Sequence, residues 1–531
     1  MNVIKQILEN SFYQLVFVYS VLVLFISFNL IFKYSYHMEI YAFILAVLAI
    51  FSLNANIDLK EQEKHNQYLY YFFLLHALII IFFFRAIPYK NNTIPLGYDA
   101  GIYKYIIEHG TNYDRWLVSS TEPGFFYFMQ IIKEFLSTDF ILTYLLIIFN
   151  VIVGISIYLT AKEFFNKKIA LLSTIIYSLS SIQFLAFSYM YYKNIIALSL
   201  VLFSILFLKK SEKNSKFIIL FILFSVLTGI FHRPTFYILG LSYFFYAFVS
   251  PIDFSNKKYN AKSLIINIIY GIIILILTLF FYIGRFSPAI LTMIEPVTQG
   301  FFQPGESPGT FINFLTYQFS TLAYLPFALI GFFYLIRKRQ FDMLFFWALL
   351  TLIIVYFQFF FFNRFIIHLD IVLILLSGIG FYMITENKKK VGVSVLIIMI
   401  IASAYIAYTE ALNTKTLINA QELETIKQLQ QTEENSFVMT TSSIYSPWVL
   451  GYSNRKTIAP GLFDYNVHNK QQWNEFWKTN NLTYIKEIMN AYKKPLYIFI
   501  GEKQGDNLKN YPDCFKIYYT KLNNTIYTYT C

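Results

Sequence analysis

Apolar residues in this chain run in long unbroken stretches, not in the alternation of a half-buried strand. Such stretches lie near 12–32, 38–54, 67–86, 139–161, 169–188, 194–208, 217–231, 235–250, 263–283, 312–336, 342–361, 366–385 and 391–409. Each is long enough to cross a bilayer, or nearly so with snorkelling ends. They must be helices, because hydrocarbon offers no partner to a backbone N–H or C=O. The pattern predicts an all-α polytopic membrane domain of about thirteen transmembrane helices over residues 1–410. No small-residue cleavage site follows the first run, which reads as a retained span.

Three polar regions interrupt or follow these runs. The first, 87–138, is a long charged amphipathic insert carrying Asp99, Glu108, Asp114 and Glu122. The second, 284–311, is rich in Gly and Pro and reads as a mobile loop, either a lid over a lipid-side opening or a plain connection. The third, 411–531, reads as a small α/β domain. Residues 417–432 and 470–492 have helical character, and FVMTTSS and PLYIFIG are short apolar runs of the kind that form strands.

Composition narrows the class further. The chain has 531 residues, of which 57% are hydrophobic and 14% charged, with a mean hydropathy of +0.52; soluble chains average about 25% charged. The net charge of +12 is not a nucleic-acid signature, because the cations sit in short blocks between apolar runs. Lys60 and Lys64; Lys162, Lys167 and Lys168; Lys209, Lys210, Lys213 and Lys216; Lys257, Lys258 and Lys262; Arg337, Lys338 and Arg339; and Lys388, Lys389 and Lys390 mark one side, while the other has mostly single cations. By the positive-inside bias the N-terminus is cytoplasmic, and an odd number of spans puts the 411–531 domain outside. Sequons at Asn91, Asn481 and Asn523 all fall on that outer side, though the motif itself arises by chance more often than it is glycosylated. The two cysteines, Cys514 and Cys531, lie in the tail, where an oxidising exterior permits a disulfide; two free thiols is the alternative.

With this topology the scarce polar residues at the outer ends of the spans come to one membrane level. These are Asp99 and Glu122 in the first loop; Lys193 and Asn194 at the start of one span; His232 and Arg233 between two; and Arg364 and His368 at the start of a late one. Ionisable residues at membrane depth are expensive and so mark functional sites. The set suits transfer of a sugar from a lipid phosphate. Asp99 and Glu122 are the candidate catalytic carboxylates. Arg364, Arg233 and Lys193 are candidates for binding the donor phosphate, where Arg offers a planar bidentate fork. Tyr98, Asn194, His232 and His368 are candidate substrate contacts. Each has a plainer reading: Asp99 as a turn former beside Gly, Glu122 as a helix-cap residue before Pro123, Lys193 as a snorkelling side chain, Arg364 as an interface anchor, His368 as a core histidine. No metal-binding motif is present; no cofactor is expected, and Asp99 with Glu122 leaves room for a divalent cation.

At these residues the chain resembles the GT-C superfamily of integral membrane glycosyltransferases, which includes protein mannosyltransferases, the aminoarabinose transferase of lipid A and oligosaccharyltransferase catalytic subunits. The resemblance rests on GYDAGIY and TEPGFFYF in the outer loop, YYKN opening a span, NRFIIHLDIVLILLSGIGF opening a late span, and SPWVLGYSNRKTIAPGLF in the tail. It implies a polyprenyl-phosphate sugar donor, an extracytoplasmic acceptor (protein, lipid or glycan), Asp99 as the catalytic carboxylate and Arg364 as a lipid-phosphate ligand. Two features depart from the pattern: the acidic loop follows the third apolar run instead of the first, and the tail has SPWVLGY in place of a WWD-type motif. Two other functions compete. TEPGFFYF resembles a segment of exopolysaccharide or O-antigen polymerases and ligases. A lipid-linked-sugar transporter or flippase is the non-enzymatic alternative, against which stand the lack of Gly/Pro-broken paired spans and of an internal repeat.

Overall fold

The computed structural model describes residues 67–531 apart from Asn91, 111–114, 254–255, Lys257, 291–311, 360–361, Lys388, 441–442, 459–466 and Gln504. The expected spans at 12–32 and 38–54, and most of the 284–311 loop, lie outside the described residues.

The remaining apolar runs are helical. Helix α1 (Gln67–Ala86) leads into the outer loop, which holds α2 (Ala100–His109), α3 (Arg115–Ser120) and α4 (Pro123–Ile132). Then come α5 (Thr138–Phe164), α6 (Lys167–Ser178), α7 (Ser181–Ser188), α8 (Tyr192–Ser211), α9 (Phe217–Phe231), α10 (Arg233–Val249) and α11 (Ala261–Phe280). After the undescribed loop follow α12 (Phe314–Thr321), α13 (Leu325–Arg337), α14 (Met343–Tyr356), α15 (Phe362–Asn387) and α16 (Lys389–Asn413). Among the described residues six helices are long and apolar enough to cross a membrane, or up to eight spans if each bent pair is one. The structure thus supports a multi-pass membrane protein; of the thirteen expected spans two lie outside the described residues, and the described ones include six to eight of full length. Two apolar runs that read as single spans are broken: α6 and α7 meet at 50°, and α12 and α13 at 82°. The α6–α7 break occurs without Gly or Pro. The Ser180 hydroxyl accepts the Gln183 N–H and starts α7 anew. At the second break Pro326 sits in the first turn of α13, where its missing N–H has no cost.

Helix α15 is the axis of the bundle; all its residues from Phe365 to Ile384 are buried. It touches α13 backbone to backbone. A Cβ on Gly331 would lie 2.1 Å from the Leu376 carbonyl oxygen, and one on Gly380 2.1 Å from that of Phe327; small residues permit this approach where no hydrophobic force drives helices together. Asp370 of α15 joins the two breaks. Its carboxylate accepts from Ser180 Oγ at 2.8 Å, Gln183 Nε2 at 2.9 Å and the Tyr324 hydroxyl. The starts of α7 and α13, which carry partial positive charge, therefore converge on one buried carboxylate. Sequence reading missed this: it took charged residues to lie only at span ends and took the spans as unbroken.

The tail folds as expected into an α/β unit, with more strands than were read. Helix α17 (Ala420–Gln428) precedes β1 (Phe437–Thr440), α18 (Ser446–Ser453) and β2 (Lys456–Ile458). The expected 470–492 helix is two, α19 (Lys470–Lys478) and α20 (Leu482–Asn490), because Asn481 caps a new start with its side chain. Strands β3 (Leu496–Ile500), β4 (Phe515–Lys521) and β5 (Asn524–Tyr529) complete a five-stranded sheet in the order β2-β1-β3-β5-β4. The first three strands are parallel and the last two antiparallel, in register Val438↔Tyr497 and Ile498↔Tyr527. Cys514 and Cys531 form a disulfide.

This unit sits on the outer loop. Helix α18, the SPWVLGY segment, crosses α2 at a pair of glycines: a Cβ on Gly101 would lie 1.8 Å from the Pro447 carbonyl oxygen, and one on Gly451 2.2 Å from that of Gly101. The Lys104 ammonium lies over the Tyr452 ring, 4.8 Å from its centre, and the Leu417 N–H donates to the Leu96 carbonyl at 3.3 Å. The loop, the tail and one end of the bundle are thus one packed region. At the opposite end the basic blocks form ion pairs, Lys168 with Glu386 at 3.0 Å and Lys213 with Glu163 at 2.7 Å.

Candidate functional site

Asp99 occupies the position before the first turn of α2. Its side chain makes no capping bond there; it accepts instead from Tyr103, one turn on. It is half-buried, and burial raises its carboxyl above the usual aspartate range, while the charges of Lys193 and Arg364 and the Tyr103 bond work the other way. Tyr98 stands beside it and feels its charge. The turn-former reading is therefore incomplete, since the side chain faces two cations from two different spans.

Glu122 sits ahead of Pro123 at the start of α4, again without capping that helix. It is 2% exposed, with Lys193 Nζ 2.7 Å from Oε2 and Arg233 Nε 3.3 Å from Oε1. Burial alone would raise its carboxyl, but Lys193 and Arg233 hold it down at about 2. A carboxylate so placed is a poor base and a good anchor for cations.

Lys193 opens α8 and also donates to the Ser120 carbonyl at 3.0 Å, so it is no free snorkelling chain. Arg233, the first residue of α10, uses all three nitrogens: Nε on Glu122, Nη1 on the Ala289 carbonyl at 2.9 Å and Nη2 on the Ser119 carbonyl at 3.0 Å. It braces the loop against two spans. Arg364, in the first turn of α15, acts on Asp99, His232 and the Tyr191 hydroxyl.

His232 is buried in the turn between α9 and α10. Burial, reinforced by Lys193 and Arg364, pushes it well below its ordinary range despite Glu122, so it is neutral. Its Nδ1 lies 2.8 Å from Thr235 Oγ1, whose oxygen is 3.0 Å from His368 Nε2. His368 is fully buried, so the structure places it one hydrogen-bonded step behind His232 and not on an open surface. Asn194 is likewise buried on its helix.

The structure brings Asp99, Glu122, Lys193, His232, Arg233 and Arg364 together from four separate segments, with Tyr98 alongside. Tyr191 and Thr235 were missed, and Tyr103, an external aromatic able to stack on a sugar by sequence, was not read as the partner of Asp99 despite its i+4 spacing. Three cations face two carboxylates, leaving the region net positive at the bundle's outer-loop end. Such a surface suits a phosphate ester beside one carboxylate that retains basic character. Among the described residues no group of three or more His, Cys, Asp and Glu is arranged to hold a metal ion.

The fold has counterparts among solved structures. The family model of dolichyl-phosphate-mannose-protein mannosyltransferases matches residues 120–282, a range that includes Glu122, Lys193 and Arg233. No curated protein sequence matches the chain at a significant level. The oligosaccharyltransferase AglB of Archaeoglobus fulgidus, solved in complex with an inhibitory peptide and a dolichol-phosphate, superposes with a TM-score of 0.57 at 14% identity over 87% of this chain and 74% of that one. ArnT of Cupriavidus metallidurans bound to undecaprenyl phosphate gives 0.58 at 9% identity, over 87% of this chain and 98% of that one. The chain thus shares its fold with the archaeal oligosaccharyltransferase and with ArnT.

Proposed function

We propose that this chain is a membrane glycosyltransferase that moves a sugar from a polyprenyl-phosphate donor to an extracytoplasmic acceptor by a single inverting displacement. The observation that carries the reading is Asp99, half-buried and hydrogen-bonded by Tyr103, set opposite Lys193 and Arg364 in a net-positive region. The acceptor hydroxyl oxygen attacks the anomeric carbon, the bond from that carbon to the phosphate oxygen breaks, and the hydroxyl proton passes to Asp99. The charge left on the lipid phosphate faces Arg364 and Lys193. Glu122 and Arg233 hold Lys193 and the loop in place. The N-terminus is cytoplasmic, and the tail closes over the outer loop outside the membrane. Dolichol-phosphate and undecaprenyl phosphate bound to the structural neighbours support the donor class, and the acceptor peptide tethered to the archaeal enzyme supports a protein acceptor. No cofactor is obligatory in this scheme, and activity that survives a chelator would exclude a role for a divalent ion at Asp99.

The test is transfer from a panel of labelled polyprenyl-phosphate sugars to a membrane extract by reconstituted protein, comparing wild type with Asp99→Asn. Transfer by wild type that is lost in the variant is the expected result. Transfer that survives the substitution removes Asp99 from the chemistry. A ladder of products points instead to a polymerase. Flux of lipid-linked sugar that persists in Asp99→Asn, without transfer by either protein, points to a transporter.

A further inference from the structure

On the lipid side of the bundle α7 and α16 leave a groove of about 370 Å³, lined by Leu185, Tyr405, Ile406, Thr409, Glu410 and Asn413 among others. Its walls are apolar, and Tyr405 at its mouth is 72% exposed. At its base is a carboxylate. Ser181 donates to Glu410, but among the described residues the buried Glu410 Oε2 has no hydrogen-bond partner, an expensive state for an acceptor. Among the described residues no Lys or Arg lines the groove. The last turn of α16, which ends at Asn413, adds the negative pole of its helix. The groove therefore lacks a positive charge and a hydrogen-bond donor at one point. Its depth is also defined: four residues after α16 ends, the Leu417 N–H bonds the Leu96 carbonyl in the outer loop. In a membrane that is the level of the lipid headgroups.

We propose that this groove binds a bilayer aminophospholipid, with the primary ammonium of its headgroup donating to Glu410 and its chains lying along Ile406 and Tyr405. Charge complementarity selects the occupant. An anionic headgroup with no ammonium would set a phosphate against a carboxylate and a helix C-terminus, whereas an ammonium supplies the charge and the donor together. The bound lipid would also buttress the turn beyond α7. Tyr189 in that turn faces Glu410, and its carbonyl oxygen lies where a Cβ on Gly97 would meet it at 2.5 Å, two residues before Asp99.

The experiment is native mass spectrometry of the delipidated full chain with three probes: phosphatidylethanolamine, phosphatidylglycerol, and stearylamine, which has the ammonium but no phosphate. Wild type should bind phosphatidylethanolamine and stearylamine about tenfold more tightly than phosphatidylglycerol, as a charge-assisted hydrogen bond provides. Glu410→Gln should erase that preference. Leu185→Trp, which fills the groove and leaves Glu410 intact, should weaken binding of all three, and it keeps the test decisive if the glutamine variant fails to fold. Equal binding of the three lipids by wild type overturns the proposal, as does a preference that survives both substitutions. Neither readout depends on transferase activity.

Discussion

Glu122→Gln tests how the region is held together. The side chain is 2% exposed and within 2.7 Å of one ammonium and 3.3 Å of one guanidinium. Its carboxyl is held at about 2 against an ordinary 4.5, a difference corresponding to about 3 kcal/mol of folded-state stabilisation of the charged form. Removing one partner from a buried ion pair costs about 3–5 kcal/mol in other proteins, so the two routes agree. Glutamine keeps the shape and removes the charge, leaving the half-buried Lys193 and Arg233 with the Ser119, Ser120 and Ala289 carbonyls as their remaining named partners. The assay is denaturation of the purified protein in mixed detergent–SDS micelles, followed by tryptophan fluorescence. The expected loss is about 3 kcal/mol at neutral pH. Because the folded carboxyl lies below its ordinary value, this contribution is complete above about pH 4.5 and is lost as the pH falls through about 2. The gap between wild type and variant should therefore close in acid. A loss under about 1 kcal/mol at pH 7, in the range of an exposed ion pair, would refute the view that this carboxylate anchors the two cations.

Asp99→Asn should lower transfer by about 10²–10⁴-fold, the range for removing a general base, while donor binding persists. Because burial raises the Asp99 carboxyl, the acid limb of the wild-type pH–rate profile should lie above the range of a solvated aspartate; a limb at or below that range would contradict the assignment. Arg364→Lys should raise the KM for donor about tenfold, with a smaller effect on kcat, since a point charge replaces a bidentate fork; an unchanged KM would remove Arg364 from the phosphate site. Gly101→Ala should destabilise the contact between loop and tail by about 1–3 kcal/mol, despite the better helix propensity of Ala, because the new methyl would meet the Pro447 carbonyl at 1.8 Å. Faster proteolysis of the 414–419 connection would report it, and unchanged protection would argue against the close crossing.

Apolar run length by itself determined that this chain is a helical membrane protein, because hydrocarbon tolerates only backbone that is satisfied within the segment. Scarcity determined most of the site. Asp99, Glu122, Lys193, Arg233 and Arg364 stand out because ions at span ends are costly, and alternating topology puts span ends at one level. Their division of labour was not legible. Asp99 and Glu122 look alike in sequence, and only packing gives one a tyrosine donor and a half-buried face while it encloses the other between a lysine and an arginine. The breaks at Ser180 and Tyr324 were hidden for the same reason. Hydropathy counts apolar residues and does not register a bend, and the Asp370 carboxylate that joins both breaks comes from a helix nearly fifty residues or more away in sequence. The β4–β5 hairpin and the Gly101–Gly451 crossing likewise exist only because distant segments meet. Local pattern records what each stretch must avoid in lipid or water; which buried charge faces which partner is decided when the segments pack.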